Sequence, residues 1–264
     1  MSFAQPIADP GAPLARRNAV AKLAAVTALT VPLLASLDPV TPAVALAVEL
    51  AVVPLFGLRY AALARRGWPL LVSVVGIGLT QVLFGTAGGR VLLHAGPVTV
   101  TSGALLTAAA LALRVFAVAL PGVLVFASTD PTDLADALVQ QARVPARFAI
   151  GALAAWRMVP LLADEWRLLV LARRARGIDA GRNPVARVRL GASALFALLV
   201  GAIRRGTRLA TAMDARGFDA GVRRTVARPQ RFTGADAALV GGGLALGLLA
   251  LAASVTVGTF RALL

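Results

Sequence analysis

Apolar residues in this chain gather into long runs instead of alternating with polar ones. Five runs stand out: Val20–Leu37, Thr41–Leu58, Trp68–Phe84, Gly103–Ala127 and Ala235–Val257. Each has about the length an α-helix, rising ~1.5 Å per residue, needs to cross the hydrocarbon core of a bilayer. The pattern predicts an all-α polytopic membrane protein with about five transmembrane helices. The first two runs are joined by "DPVT", a turn of strong breakers. Met1–Leu14 carries an acid and three prolines and is not expected to act as a cleaved signal peptide.

The pattern changes between residues 128 and 234. Its two apolar stretches are shorter: Phe148–Leu162, interrupted by Arg157 and broken near its end by Pro160, and Leu190–Ile203. Both suit long amphipathic helices lying along a membrane face better than membrane spans. The punctuation around them is regular. Asp130 is placed to N-cap a helix with Pro131 at its first position and Asp133 in its first turn. "VP" at 144–145 ends that helix and begins another, which should kink near Pro160 and run to Arg176, where Gly177 stops it. "NP" at 183–184 caps a third, running to Arg216 and stopped by Gly217.

Composition adds a direction to this picture. Of 264 residues, 58% are hydrophobic and 15% charged, with a mean hydropathy of +0.80 and a formal net charge of +15. Such a charge suits nucleic acid or an anionic membrane face, and position along the chain decides between them. Arg16, Arg17 and Lys22 flank the first run, Arg59, Arg65 and Arg66 separate the second from the third, and 18 arginines lie between Ala127 and Ala235. Only Arg90 and Arg261 fall on the other side. Cytoplasmic loops collect Lys and Arg, so this asymmetry places the amino terminus and residues 128–234 in the cytoplasm and leaves no call for nucleic acid. The expected organisation is a cytoplasmic segment 1–19, four spans in 20–127, a cytoplasmic helical domain 128–234, and a last span with the carboxyl terminus in 235–264.

Within the cytoplasmic domain one phrase is written twice. "ARRARGIDAG" at 172–181 and "AMDARGFDAG" at 212–221 share seven of ten residues, while the helices leading into them show little identity. A cation before a C-cap glycine gains about 0.3–1 kcal/mol from the helix dipole, which accounts for the arginine of one copy. It does not account for alanine before the arginine, or for Asp-Ala-Gly afterwards, in both. Only the tips repeat, which points to one kind of contact made twice. A guanidinium offers five donors in a rigid fork and suits bidentate docking to a carboxylate in a partner's groove. Two tips imply two equivalent grooves.

These tips, with "STDPTDLADAL", "VP" at 144–145, "MVPLLADEWRLLVLARRARGI", "RLATAMDARGFD" and "RFTGADAAL", resemble the transmembrane T component of energy-coupling factor (ECF) transporters of the cobalt/biotin permease type. The likeness covers most of the chain from about residue 20. It implies a non-catalytic component of an ATP-driven importer for a vitamin or metal ion. It also implies that Ala175-Arg176-Gly177 and Ala215-Arg216-Gly217 dock two cytoplasmic ABC-type ATPase subunits, and that a small membrane S component binds the substrate. The host would be the cell membrane of a prokaryote. Other classes open to the residues alone are a secondary permease and a membrane scaffold for a different cytoplasmic pair.

The remaining chemistry is sparse. No G-x-x-x-x-G-K-[ST] occurs and Lys22 is the sole lysine, so no P-loop exists and ATP with Mg belongs to partner chains. There is no cysteine, and His94, the one histidine, reads as an external loop residue, so no metal site or resident cofactor is expected. Glu49 and Arg114 lie inside spans, where an unpartnered charge costs roughly 2.5–3.5 kcal/mol. Both are candidates for polar contacts with a partner or substrate path, or for a satisfied pair within the membrane. Gly241–Gly243 and Gly247 give the last span a small-residue face for close helix packing.

Overall fold

The computed structural model describes residues 12–36, 38–57, 60–85, 88–95, 98–218 and 225–260. The described residues form eight α-helices: α1 (Ala19–Leu34), α2 (Val40–Val52), α3 (Tyr60–Phe84), α4 (Ser102–Ser128), α5 (Pro131–Gln140), α6 (Ala146–Ala175), α7 (Pro184–Ala215) and α8 (Gly234–Val257). A 3-10 turn, Val53–Phe56, follows α2, and one antiparallel hairpin, β1 (Val91–Ala95) with β2 (Val98–Thr101), precedes α4. The hairpin corrects the expectation of a plain loop. His94 is a strand residue paired with Thr99, and Thr101 ends β2 and N-caps α4, its side chain accepting from the Ala104 amide at 3.2 Å.

The described residues pack as two units, one built from the chain between 12 and 137 and between 230 and 260, the other from that between 138 and 229. In the first, α1 and α8 run side by side in the same direction. Their register is visible in the glycines of α8. A Cβ at Gly243 would stand 2.6 Å from the Ala25 carbonyl oxygen, and one at Gly247 2.9 Å from Cγ of Pro32 and 3.0 Å from the Leu29 carbonyl. The absence of a side chain is what lets the two backbones touch, as at other small-residue helix interfaces in membranes. The small-residue face therefore packs internally at Gly243 and Gly247, while Gly241 and Gly242 meet nothing. Leu29, Leu33, Ala45, Ala117 and Ala250 form a buried cluster joining α1, α2, α4 and α8.

Polar groups tie both ends of this bundle. At one end the Asp236 carboxylate closes a capping box on Thr233, accepting from its amide at 2.8 Å and its hydroxyl at 2.7 Å, and also accepts from the Asn18 amide at 3.0 Å. Lys22 donates to the Ser128 carbonyl at 2.8 Å and the Thr129 hydroxyl at 3.3 Å. The sequence reading counts Lys22 among the flanking cytoplasmic charges; the fold buries it to 1% exposure and gives it the end of α4 to hold. At the other end Asp38 accepts from the Thr41 amide at 2.7 Å in the first turn of α2. Burial alone would raise its pKa, but hydroxyls of Ser36, Ser254 and Thr41 with the Thr41 amide stabilise the charged form and hold it at about 2.

The helix lengths redraw the list of candidate spans. Helices α3, α4, α6, α7 and α8 are long and apolar enough to cross a membrane, whereas α1 and α2 have 16 and 13 residues. The two sets of five share only α3, α4 and α8. The short apolar stretches of 128–234 sit inside unbroken helices of 30 and 32 residues, so length and composition do not separate a crossing helix from one lying along a surface. Helix α3 begins at Tyr60, eight residues before the apolar run at Trp68.

Candidate functional site

The unit 138–229 is dominated by α6 and α7, joined by a short connection. Asp130 caps the preceding α5 as its residue type predicts, its side chain accepting from the Thr132 amide at 2.7 Å, with Pro131 at the first helical position and Asp133 in the first turn. Arg143, in the left-handed region at φ 54°, and Pro145 interrupt the chain before α6. Asn183 then caps α7, accepting from the Val185 and Ala186 amides at 3.0 and 3.2 Å, with Pro184 at the first helical position. Arg187 reaches back to the Gly181 carbonyl through Nε and Nη2 at 3.1 and 2.8 Å, fixing the connection.

Two polar links pin α6 to α7. Arg173 donates from Nη1 to the Leu190 carbonyl and the Ser193 hydroxyl, both at 2.8 Å. Further along, Arg205 pairs with Glu165, beside Gly201, where a Cβ would stand 3.8 Å from Oε1 of Glu165. Neither link is readable from the sequence, where these arginines merge into the general positive charge. Their signal is only that they leave the helix surface toward a neighbouring helix.

The repeated phrase forms the same structure twice. Ala175 and Ala215 are the last helical residues, and Arg176 and Arg216 are the C-caps, at φ −90°, ψ 8° and φ −89°, ψ 10°. Gly177 and Gly217 follow in the left-handed region at φ 75° and 72°. Around the first tip the Gly177 amide donates to the Arg174 carbonyl at 2.9 Å and the Ile178 amide to the Arg173 carbonyl at 3.0 Å. Around the second, the Gly217 amide donates to Asp214 at 2.9 Å and the Phe218 amide to Met213 at 3.1 Å. This paired bonding is a Schellman motif, which glycine completes without steric cost. Arg176, Arg216 and both flanking alanines are exposed, and neither guanidinium has a hydrogen bond or ion pair to the described residues. The second copy's Asp219-Ala220-Gly221 lies outside the described residues.

The fold does not bring the tips together. They stand at the two ends of α7, whose 32 residues at ~1.5 Å each span roughly 48 Å. The arrangement offers two alike, separate cationic tips and not one composite site.

Glu49 and Arg114 lie elsewhere, in α2 and α4. Among the described residues, neither carboxyl oxygen of Glu49 has a hydrogen-bond partner, nor do Nε and Nη2 of Arg114. The two therefore do not form the hydrogen-bonded pair that the sequence allowed.

Comparison with known proteins adds an independent line. Residues 11–226 match the family described as "Cobalt transport protein" (CbiQ). The chain is 33% identical over 200 residues to the energy-coupling factor transporter transmembrane protein EcfT of Exiguobacterium sibiricum, covering 73% of this chain and 75% of that one. It is 35% identical over 193 residues to the same-named protein of Lacticaseibacillus paracasei, covering 70% and 71%. The match to that of Limosilactobacillus fermentum is 35% over 164 residues, spanning 59% of this chain and 61% of the relative. A putative ABC transporter ATP-binding protein of Bifidobacterium longum is 28% identical over 195 residues, 71% of this chain but 25% of its own length. With an all-α architecture of long apolar helices and two arginine-capped tips, the chain belongs to the cobalt transport protein family, as a multi-pass transmembrane component of the energy-coupling factor type.

Proposed function

We propose that Ala175-Arg176-Gly177 and Ala215-Arg216-Gly217 are the docking points for two cytoplasmic ATPase subunits. In this reading α6 and α7 lie at the cytoplasmic face and carry ATPase motions to a small membrane S component that binds the substrate, a vitamin such as a B-vitamin or its precursor. The amino terminus is cytoplasmic, ATP and Mg reside in the partner subunits, and α1 and α2 sit in the membrane against α4 and α8. The observation that carries the reading is the duplication: two exposed arginine C-caps of almost identical backbone geometry, one helix length apart and without a polar partner among the described residues. A dipole-neutralising role needs one cation at each helix end but no match between the two ends. The relative named as an ATP-binding protein, a quarter of whose length resembles this chain, supports an ATPase as the partner.

The geometry of the guanidinium gives the test. Lysine keeps the charge but replaces a planar fork with one ammonium, so Arg176→Lys with Arg216→Lys separates docking from capping. The expected result is normal membrane abundance with reduced ATPase co-purification, and for the double alanine variant a loss of uptake with hydrolysis uncoupled. Removing charged contacts buried in a groove costs on the order of 2–5 kcal/mol. Lysine variants that bind ATPase as well as the parent leave two good helix caps and nothing more. Orientation is tested separately with single cysteines at Gly88 and Asp179, both exposed. Gly88 should be labelled from outside and Asp179 from the cytoplasm; an inside signal at Gly88 overturns the topology.

A further inference from the structure

Helices α1, α2, α4 and α8 do not close completely on one another. Between them lies a cavity of about 340 Å³ whose lining includes Lys22, Val26, Glu49, Leu124, Leu239 and Gly242. The wall is almost wholly hydrocarbon. Of its two ionisable residues, Lys22 is engaged with the end of α4. Glu49 is 6% exposed, and neither of its oxygens has a partner among the described residues. The lining residues of α1 and α4 fall within about three turns of Ala19 and Ser128, the ends that Lys22 ties together. At ~1.5 Å per residue this places the cavity roughly 5–15 Å from those helix ends.

Water does not fill such a space well. At ~30 Å³ each, about ten molecules would be needed, and each requires two to four polar partners that these walls do not offer; apolar cavities stay dry. An empty cavity would leave the lining side chains without packing and Glu49 without a hydrogen bond, both unfavourable. The occupant that satisfies both is mostly hydrocarbon with a single polar group. Between apolar helices the surrounding bilayer supplies molecules of this kind. We propose that the cavity is a binding site for one membrane amphiphile, a single hydrocarbon chain whose polar end donates a hydrogen bond to the Glu49 carboxyl. A hydroxyl can donate to this carboxyl in either protonation state, whereas an ether oxygen can only accept.

Gly242 provides the control over entry. It lines the cavity, and a Cβ added there meets nothing within 4 Å, so Gly242→Leu extends into the free space without a backbone clash. Gly241, its neighbour, is equally open but does not line the cavity. The full chain in vesicles is exposed to a long-chain alcohol carrying a mid-chain diazirine, or to its methyl ether, which lacks the donor. After illumination, labelled peptides are mapped by mass spectrometry. The alcohol should label cavity-lining residues of α1, α2 or α4, and the ether should label them roughly two- to tenfold less, the range for one hydrogen bond. Gly242→Leu should abolish this labelling while Gly241→Leu preserves it, and Glu49→Leu should erase the difference between alcohol and ether. Melting temperatures report whether each variant folds, and Ala238→Leu, also on the lining, replaces Gly242→Leu if that one does not. Cavity labelling that is absent, that survives a filled cavity in a folded variant, or that is equal for the two probes overturns the proposal.

Discussion

Replacing Gly177 or Gly217 by alanine isolates what the tip geometry contributes, because nothing else should change. Both glycines are exposed, and at Gly177 an added Cβ would meet no atom within 4 Å. The perturbation is therefore conformational. Holding an L-residue in the left-handed region costs about 1–2 kcal/mol. Against this stand the two hydrogen bonds that the glycine conformation permits, at 2.9 and 3.0 Å on the first tip, each contributing about 0.5–1.5 kcal/mol net. Cost and gain are of the same size. Alanine thus brings the capped tip close to balance with a frayed one, a shift of about five- to thirtyfold in their ratio. Fraying is local, so the melting temperature should hold. Amide exchange reads the effect directly: the Ile178 amide should lose protection in Gly177→Ala, and the Phe218 amide in Gly217→Ala. Asparagine tolerates the left-handed region better than alanine, so Gly177→Asn should retain most of the protection. ATPase association should fall in the same order, alanine below asparagine below glycine. An Ile178 amide that exchanges equally in all three proteins would refute the argument, as would full ATPase binding by a frayed tip.

Further outcomes follow from the bundle of α1, α2, α4 and α8. Gly243→Ala should destabilise by about 1–3 kcal/mol, since the new methyl meets the Ala25 backbone and α8 must move away, whereas Gly241→Ala should be neutral or slightly stabilising; thermal melts in one detergent compare them. Asp38 contributes stability that is complete above its unfolded pKa, near 4, and is lost as pH falls toward its folded value of about 2. Melts between pH 5 and 2 should show a decline that Asp38→Asn lacks. Lys22→Met should lower the melting temperature by stranding the Ser128 carbonyl, at a cost of about 1–3 kcal/mol.

The sequence by itself determined the helical class, the approximate places of the apolar helices and the ends of α5, α6 and α7. Those features depend on residues close together in the chain. A glycine that must take positive φ, an Asx cap two residues from its amide, a proline at a first helical position and an apolar run are all local, which is why Asp130, Asn183, Gly177 and Gly217 act as their types predict. The duplicated tips were legible for the same reason, since a Schellman motif closes within six residues. What tertiary structure alone decided was pairing at a distance. Asn18 meets Asp236 across 218 positions and Lys22 meets Ser128 across 106; no local pattern marks a lysine in a positive flank as a buried strut. The sequence also left open whether the glycines of the last span face their own chain, whether Glu49 and Arg114 pair, and how far α3 reaches. Those depend on which faces of apolar helices meet. Hydropathy is blind to that choice, because in a membrane the lipid side and the protein side of a helix are alike apolar and only shape distinguishes them.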